Sequence, residues 1–193
     1  MKIISLSMKK YLPLLFLISI IILVILNGLK IKEFVAPVSS QYRDDIPIYS
    51  VECEGKKCAI TFDCAWGADD IPTILDTLDK YNAKGTFFIV GLWAKKYPET
   101  VKLIYDRGHE IANHGYSHAH MSKIPENKIE EEILLCTQVL AEITGESTIL
   151  FRPPYGEYNS DTIKVANRLN YKTIQWDVET LDIKVKTSKT LML

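Results

Sequence analysis

The chain carries no block of like charge: 23 Lys and Arg stand against 24 Asp and Glu, for a net charge of −1. It therefore lacks the basic face that phosphates require, and nucleic acid is not expected as a partner. Cysteine is scarce too, at four residues, and Cys53, Cys58, Cys64 and Cys136 form no Cys-x-x-Cys pair. A zinc knuckle is not expected on that spacing. No internal repeat and no low-complexity tract occurs. Histidine is limited to four residues, with none after His120.

Charge is missing most conspicuously between Tyr11 and Leu29. At a helical rise of ~1.5 Å per residue this stretch spans roughly 28 Å, about one bilayer core. It has no polar face, so a buried soluble helix is not expected. Lys2, Lys9 and Lys10 precede it, and Lys30 and Lys32 follow. The bias favours an N-terminus in the cytoplasm. A cleaved signal peptide is the rival reading, but the run is long for one and Phe34-Val35-Ala36-Pro37 is a poor small-residue cleavage site. The expectation is a cytoplasmic N-terminus over 1–10, a single-pass anchor over 11–29, a linker over 30–47 and a domain over 48–193 outside the cytoplasm.

Within that domain, Cys53 and Cys58 flank a four-residue turn between two expected strands. They are either partners across an oxidised hairpin or two unpaired thiols. Strand and helix alternate from there on. Ala59–Phe62 reads as a short buried strand that delivers Asp63 at its end, and Gly67 turns the chain. Ile71, Ile74, Leu75 and Leu78 mark one helical face, with Pro72 in the first turn and Asp69 or Asp70 at the cap. Strands are expected at Thr86–Val90, His109–Ala112, Thr148–Phe151 and Lys172–Trp176. Helices are expected near Glu99–Arg107, over Pro125–Ile143 with Gly145 as stop, and after a Ser160 cap. Strands separated by helices imply parallel βαβ units. The expected fold is α/β, a partial (β/α) barrel of about five strands, with the fifth strand left as an unprotected edge.

The strand ends collect polar chemistry on one rim. The third strand runs into Asn113-His114-Gly115-Tyr116-Ser117-His118. Imidazoles four residues apart reach one ion on a helix or tight turn, and neutral imidazole suits zinc and other first-row metals. Ser117 is expected to hydrogen-bond the loop backbone, and His109 and His120 to be ordinary strand or loop residues. The fourth strand ends in Arg152-Pro153-Pro154-Tyr155-Gly156, a loop whose rigidity leaves the Tyr155 N–H free for an oxyanion. An ordinary turn is the alternative. The fifth ends in Trp176-Asp177-Val178-Glu179-Thr180-Leu181-Asp182, which supplies carboxylates to pair with Arg152 or simply a solvated acidic loop.

Taken together, TFD, NHGYSH, FRPPYG and WDVETLD, in this order over about residues 57–183, resemble the polysaccharide deacetylases with a NodB homology domain, carbohydrate esterase family 4. The TFDCAWG and WDVETLD wording is most similar to the PdaB-like, sporulation-associated branch. The resemblance implies hydrolysis of N-acetyl groups on amino sugars in peptidoglycan or a chitin-like polymer. It implies a divalent metal, zinc first and cobalt or nickel next, held by His114 and His118. Asp63 would be the general base, Arg152 would orient it, and Tyr155 would give its N–H to the oxyanion. Glu179 or Asp182 would hold Arg152, and Trp176 and Pro154 would line the acetyl pocket.

Three departures stand beside the match. Cys64 occupies the position of the family's third ligand, leaving Asp69 or Asp70 to supply an oxygen. Ile183 stands where the family's usual tryptophan follows the second acid. The family's final strand ending in a general-acid histidine has no counterpart, and the tail LDIKVKTSKTLML reads as a premature stop. The alternative expectation is thus a non-catalytic glycan-binding protein of the cell envelope.

Overall fold

The computed structural model describes residues 17–19 and 45–179. The chain divides into two units, Met1–Arg43 and Asp44–Leu193. In the first, Leu17–Ser19 are helical and exposed, and the rest of the expected anchor over 11–29 lies outside the described residues. Among the described residues no helix is long and apolar enough to cross a membrane.

The second unit is a five-stranded parallel sheet whose strands lie in chain order: β1 (Ile60–Cys64), β2 (Gly85–Ile89), β3 (Glu110–Asn113), β4 (Leu150–Phe151) and β5 (Lys172–Thr173). Successive neighbours in one order are the arrangement of an opened (β/α) barrel. Because every strand runs the same way, all the C-terminal ends share one rim. The last two strands are shorter than the β-rich runs that encode them, because only Leu150–Phe151 and Lys172–Thr173 align for ladder pairing.

Five helices connect the strands: α1 (Ile71–Lys80), α2 (Gly91–Lys96), α3 (Pro98–Asp106), α4 (Glu126–Thr144) and α5 (Ser160–Arg168). The apolar spacing in α1 buries Ile71, Leu75 and Leu78, as one face of a 3.6-residue period must. α4 buries Ile129, Ile133, Cys136, Val139 and Leu140 and stops at Gly145, whose φ of 78° needs no Cβ. β2 is covered on both faces: Phe87 and Ile89 are fully buried in the core with the helices, and Phe88 is fully buried on the other face. Each such side chain contributes ~1.5–3 kcal/mol of burial. One core gathers Phe87 and Ile89 with the buried side chains of α1–α3 and with Cys136, Val139 and Leu140 of α4; a second packs Met121, Ile129, Ile133, Phe151, Val165, Ala166 and Tyr171.

Several expectations are corrected. Helix α2 was not expected; Gly91 and the short connection from β2 hid it. The α5 cap is Asn159 rather than Ser160, in a reciprocal capping box with Thr162, because the chain turns helical one residue earlier than a Ser160 cap implies. Asp70 occupies the N-cap of α1 without a side-chain cap bond, since its backbone is already helical. No strand forms around Cys53 and Cys58, which are free and exposed. The β5 edge is not open: Ile48 bridges to Ile174, donating to the Thr173 carbonyl at 2.8 Å and accepting from the Gln175 N–H at 2.8 Å. The segment ahead of β1 thereby returns to cover it.

Candidate active site

At the end of β1, alternation of side chains separates Asp63 from Cys64. Asp63 is partly exposed on the rim, whereas Cys64 is buried in the core with its thiol pushed up to about 12, chiefly by burial. A neutral thiol on the far face is not a ligand for the rim. The position that departs from the family pattern is a packing residue.

Arg152, at the end of β4, is almost fully buried. Its guanidinium donates to Asp63 Oδ1 at 2.7 Å and to the Gln175 carbonyl at 3.2 Å, and it lies 3.9 Å over the Phe88 ring. The ion pair and the stacked ring hold the carboxylate in one orientation. Glu179 takes no part in this: it is exposed beyond β5, where the chain leaves the sheet. Asp182 lies outside the described residues. The acid expected to hold Arg152 is replaced, among the described residues, by the Gln175 backbone.

His114 follows β3 and is buried. Its Nδ1 is 2.7 Å from the Arg152 carbonyl, which only accepts, so Nδ1 carries the proton. Burial holds the imidazole neutral by lowering its pKa, so the Nε2 lone pair faces the rim. That Nε2 is 3.7 Å from Asp63 Oδ2, too far for a hydrogen bond. Oδ2 is thus the carboxylate oxygen not committed to Arg152.

His118 stands beside His114, with ring centroids 5.2 Å apart. Burial first, and the neighbouring His114 second, push its pKa down to about 4. Its φ of 62° places a non-glycine residue in the left-handed region, a cost of order 1–3 kcal/mol that surrounding contacts must offset. Those contacts come largely from α4. Glu132 Oε2 accepts from the Tyr116 and Ser117 N–H groups at 2.9 and 2.8 Å, and Oε1 accepts from the Ser117 hydroxyl at 2.6 Å. Ser117 thus bonds a carboxylate on α4 rather than its own loop backbone. Asn113, fully buried, ties the same loop by accepting from the Gly115 N–H and donating to the Ile133 carbonyl.

Tyr155 repeats the device in the next loop, with φ 60°. The Gly156 and Glu157 N–H groups donate to the Pro153 and Pro154 carbonyls, while the Tyr155 N–H donates to no carbonyl among the described residues. Its ring stacks on His120 at 4.3 Å and leans on His118 at 4.4 Å. His120 in turn meets Glu157 at 2.8 Å. Pro154 is buried against the Gly115 turn, and Trp176 lies 5.4 Å from the Arg152 guanidinium and against Gly156.

The structure therefore brings Asp63, His114, His118, Arg152, Tyr155, Pro154 and Trp176 to one rim. It does not bring Asp70 there as a third ligand: among the described residues no group of three His, Cys, Asp or Glu side chains is placed to hold a metal ion. The donor set fits a divalent ion in part, through the two neutral imidazoles of His114 and His118, whose rings stand 5.2 Å apart. Glu132, Gln175 and Trp66 were not anticipated. Glu132 sits at the edge of the α4 stripe, a weak signal; Gln175 acts through its backbone, which no side-chain pattern reveals. Trp66 lies with its ring 5.8 Å from that of His118.

A profile of the family described as polysaccharide deacetylase matches residues 50–174. A peptidoglycan-N-acetylglucosamine deacetylase of Bacillus cereus is 38% identical over 69% of this chain and 48% of its own length. The peptidoglycan-N-acetylmuramic acid deacetylase PdaA of Bacillus subtilis is 33% identical over 69% of this chain and 51% of its own. The chain spans about half the length of these curated relatives. Among solved structures, a CE4 family pseudoenzyme from Bacillus anthracis superposes with TM-score 0.70 at 31% identity, covering 72% of this chain and 50% of that one. A mutant of it with restored enzymatic activity matches with the same TM-score, 0.70, at 33% identity, over 72% and 52% of the two chains.

Proposed function

The chain belongs to the polysaccharide deacetylase family, and on that premise we propose that it hydrolyses N-acetyl groups from amino sugars of peptidoglycan or a chitin-like polymer. The observation that carries this reading is the split carboxylate of Asp63: Oδ1 is tied to buried Arg152 at 2.7 Å, and Oδ2 is directed toward the His114 Nε2 at 3.7 Å. Such a carboxylate is oriented for general-base work.

In the proposed reaction, water attacks the acetamide carbonyl carbon, and Asp63 Oδ2 takes its proton. The carbonyl oxygen gains charge and is met by the Tyr155 N–H, held in place by the two prolines that precede it. Arg152 keeps the base oriented and is itself fixed by the Gln175 carbonyl. Asp63 then returns that proton to the nitrogen, and collapse breaks the C–N bond and releases acetate and the free amine. His114 and His118 are the residues to hold a divalent ion, zinc first, with cobalt or nickel as alternatives. When bound, that ion supplies Lewis acidity that polarises a carbonyl and acidifies water. Trp176 and Pro154 flank the place for the acetyl group.

The charge-free run Tyr11–Leu29 supports a single-pass anchor in the cell membrane, with the domain outside the cytoplasm facing the glycan. The TFDCAWG wording supports the PdaB-like, sporulation-associated branch. The test is acetate release from N-acetylglucosamine oligomers by the full chain and by Asp63→Asn. A fall of roughly 10²–10⁴ is expected for the variant; equal activity above background in both would refute the assignment.

A second reading, glycan binding without turnover, is favoured by one observation. Among the described residues only two imidazoles and no third acidic or thiol ligand are grouped. Oligomer binding that survives His114→Ala, with no acetate released by the wild-type chain, would select it.

A further inference from the structure

Trp66 is 74% exposed, the most exposed tryptophan of the described chain and costly to leave in water. Its backbone is nevertheless held firmly. The adjoining Gly67 carbonyl accepts from the indole N–H of Trp93, itself buried in the core, at 3.0 Å. Two residues earlier, the Cys64 carbonyl accepts from the Val90 N–H at 3.1 Å. A large apolar ring on a pinned loop is presented rather than stranded.

The ring begins a row. Trp66 meets His118 edge-on at 5.8 Å, His118 meets Tyr155 at 4.4 Å, and Tyr155 stacks on His120 at 4.3 Å. The Tyr155 ring is half exposed. The row therefore passes through the site, with the base and oxyanion donor near its middle and an unpaired indole at one end. A pyranose ring offers a flat C–H face with hydroxyls at its edge. It covers an indole face while keeping its polar groups wet, which suits the apolar body of a solvent-facing tryptophan.

We propose that Trp66 is the stacking platform for the sugar adjoining the one that is deacetylated, and that it makes the site select polymer over monosaccharide. The inference rests on the proposed deacetylation for the position of the reacting sugar. Its binding component stands apart from turnover.

The experiment compares wild type, Trp66→Ala and Trp66→Phe on the N-acetylglucosamine tetramer and on the monomer. It reads acetate release and, in the Asp63→Asn background, calorimetric binding of the tetramer. In Trp66→Ala the ratio of tetramer to monomer kcat/KM is expected to fall roughly tenfold, mainly through a higher tetramer KM. Tetramer binding in the Asp63→Asn background should weaken by a similar factor, and Trp66→Phe should recover most of both. Binding that weakens in Trp66→Ala without any wild-type turnover would sustain the platform and defeat the deacetylase reading. An unchanged ratio together with unchanged binding would overturn the platform, as would a tetramer that does not bind the Asp63→Asn chain.

Discussion

Replacing Gly91 by alanine tests how the histidine loop is seated. A Cβ there would lie 2.6 Å from Tyr116 Cδ2, 3.2 Å from Tyr116 Cα and 3.3 Å from Cys136 Cα. The clash is with the Tyr116 ring, and the two tight contacts are with backbone atoms on the loop and on α4, so turning the ring alone does not make room. The loop must move, and it is held by the Gly91 and Leu92 N–H groups, which donate to the Gly115 and Tyr116 carbonyls at 2.9 Å each. Overpacking costs about 1–3 kcal/mol, and weakening two hydrogen bonds adds about 1 kcal/mol. The expected loss is about 2–4 kcal/mol, a large share of the ~5–15 kcal/mol that holds a domain folded. With a urea slope of ~2 kcal/mol per molar, the unfolding midpoint should fall by roughly 1–2 M. Because the moved loop carries His114 and His118, zinc affinity measured by calorimetry should fall as well. Gly67→Ala is the matched control: nothing lies within 4 Å of its Cβ position, so it should stay within about 0.5 kcal/mol of wild type. A Gly91→Ala chain that unfolds at the wild-type midpoint would refute the packing argument.

Glu132→Gln should weaken the same loop from α4. It exchanges charge-assisted bonds to the Tyr116 and Ser117 N–H groups for neutral ones, at a cost of about 1 kcal/mol, and Glu132→Ala should cost more by leaving both donors unmet; urea unfolding of the two variants gives the order. His109 is held below its ordinary pKa, first by burial and then by Lys84 and Arg107, against the opposing pull of Asp79. The unfolded chain therefore binds the extra proton first. This contribution is present above about pH 6.5 and is lost as the pH falls below it. Between pH 7.5 and 5.5 the urea midpoint of His109→Gln should fall less than that of wild type, and equal slopes would sink the assignment.

The sequence by itself determined the alternation of strands and helices, the parallel sheet and the order of motifs along the rim. Those follow from local periodicity and from the rule that parallel strands expose one set of ends together. Asp63 and Arg152, 89 residues apart in the chain, could be named as partners only through the family resemblance. Tertiary structure alone decided what holds them. Gln175 anchors Arg152 through a backbone carbonyl, which leaves no residue-type signature. Glu132 reaches the histidine loop because α4 packs against it, and Ile48 covers β5 because the chain ahead of β1 folds back. Cys64 shows the division most clearly. Its residue type set it apart from the ligand that its place in the motif has in the family, but only the sheet shows where it goes: one step along a pleated strand reverses the side chain and turns it into the core.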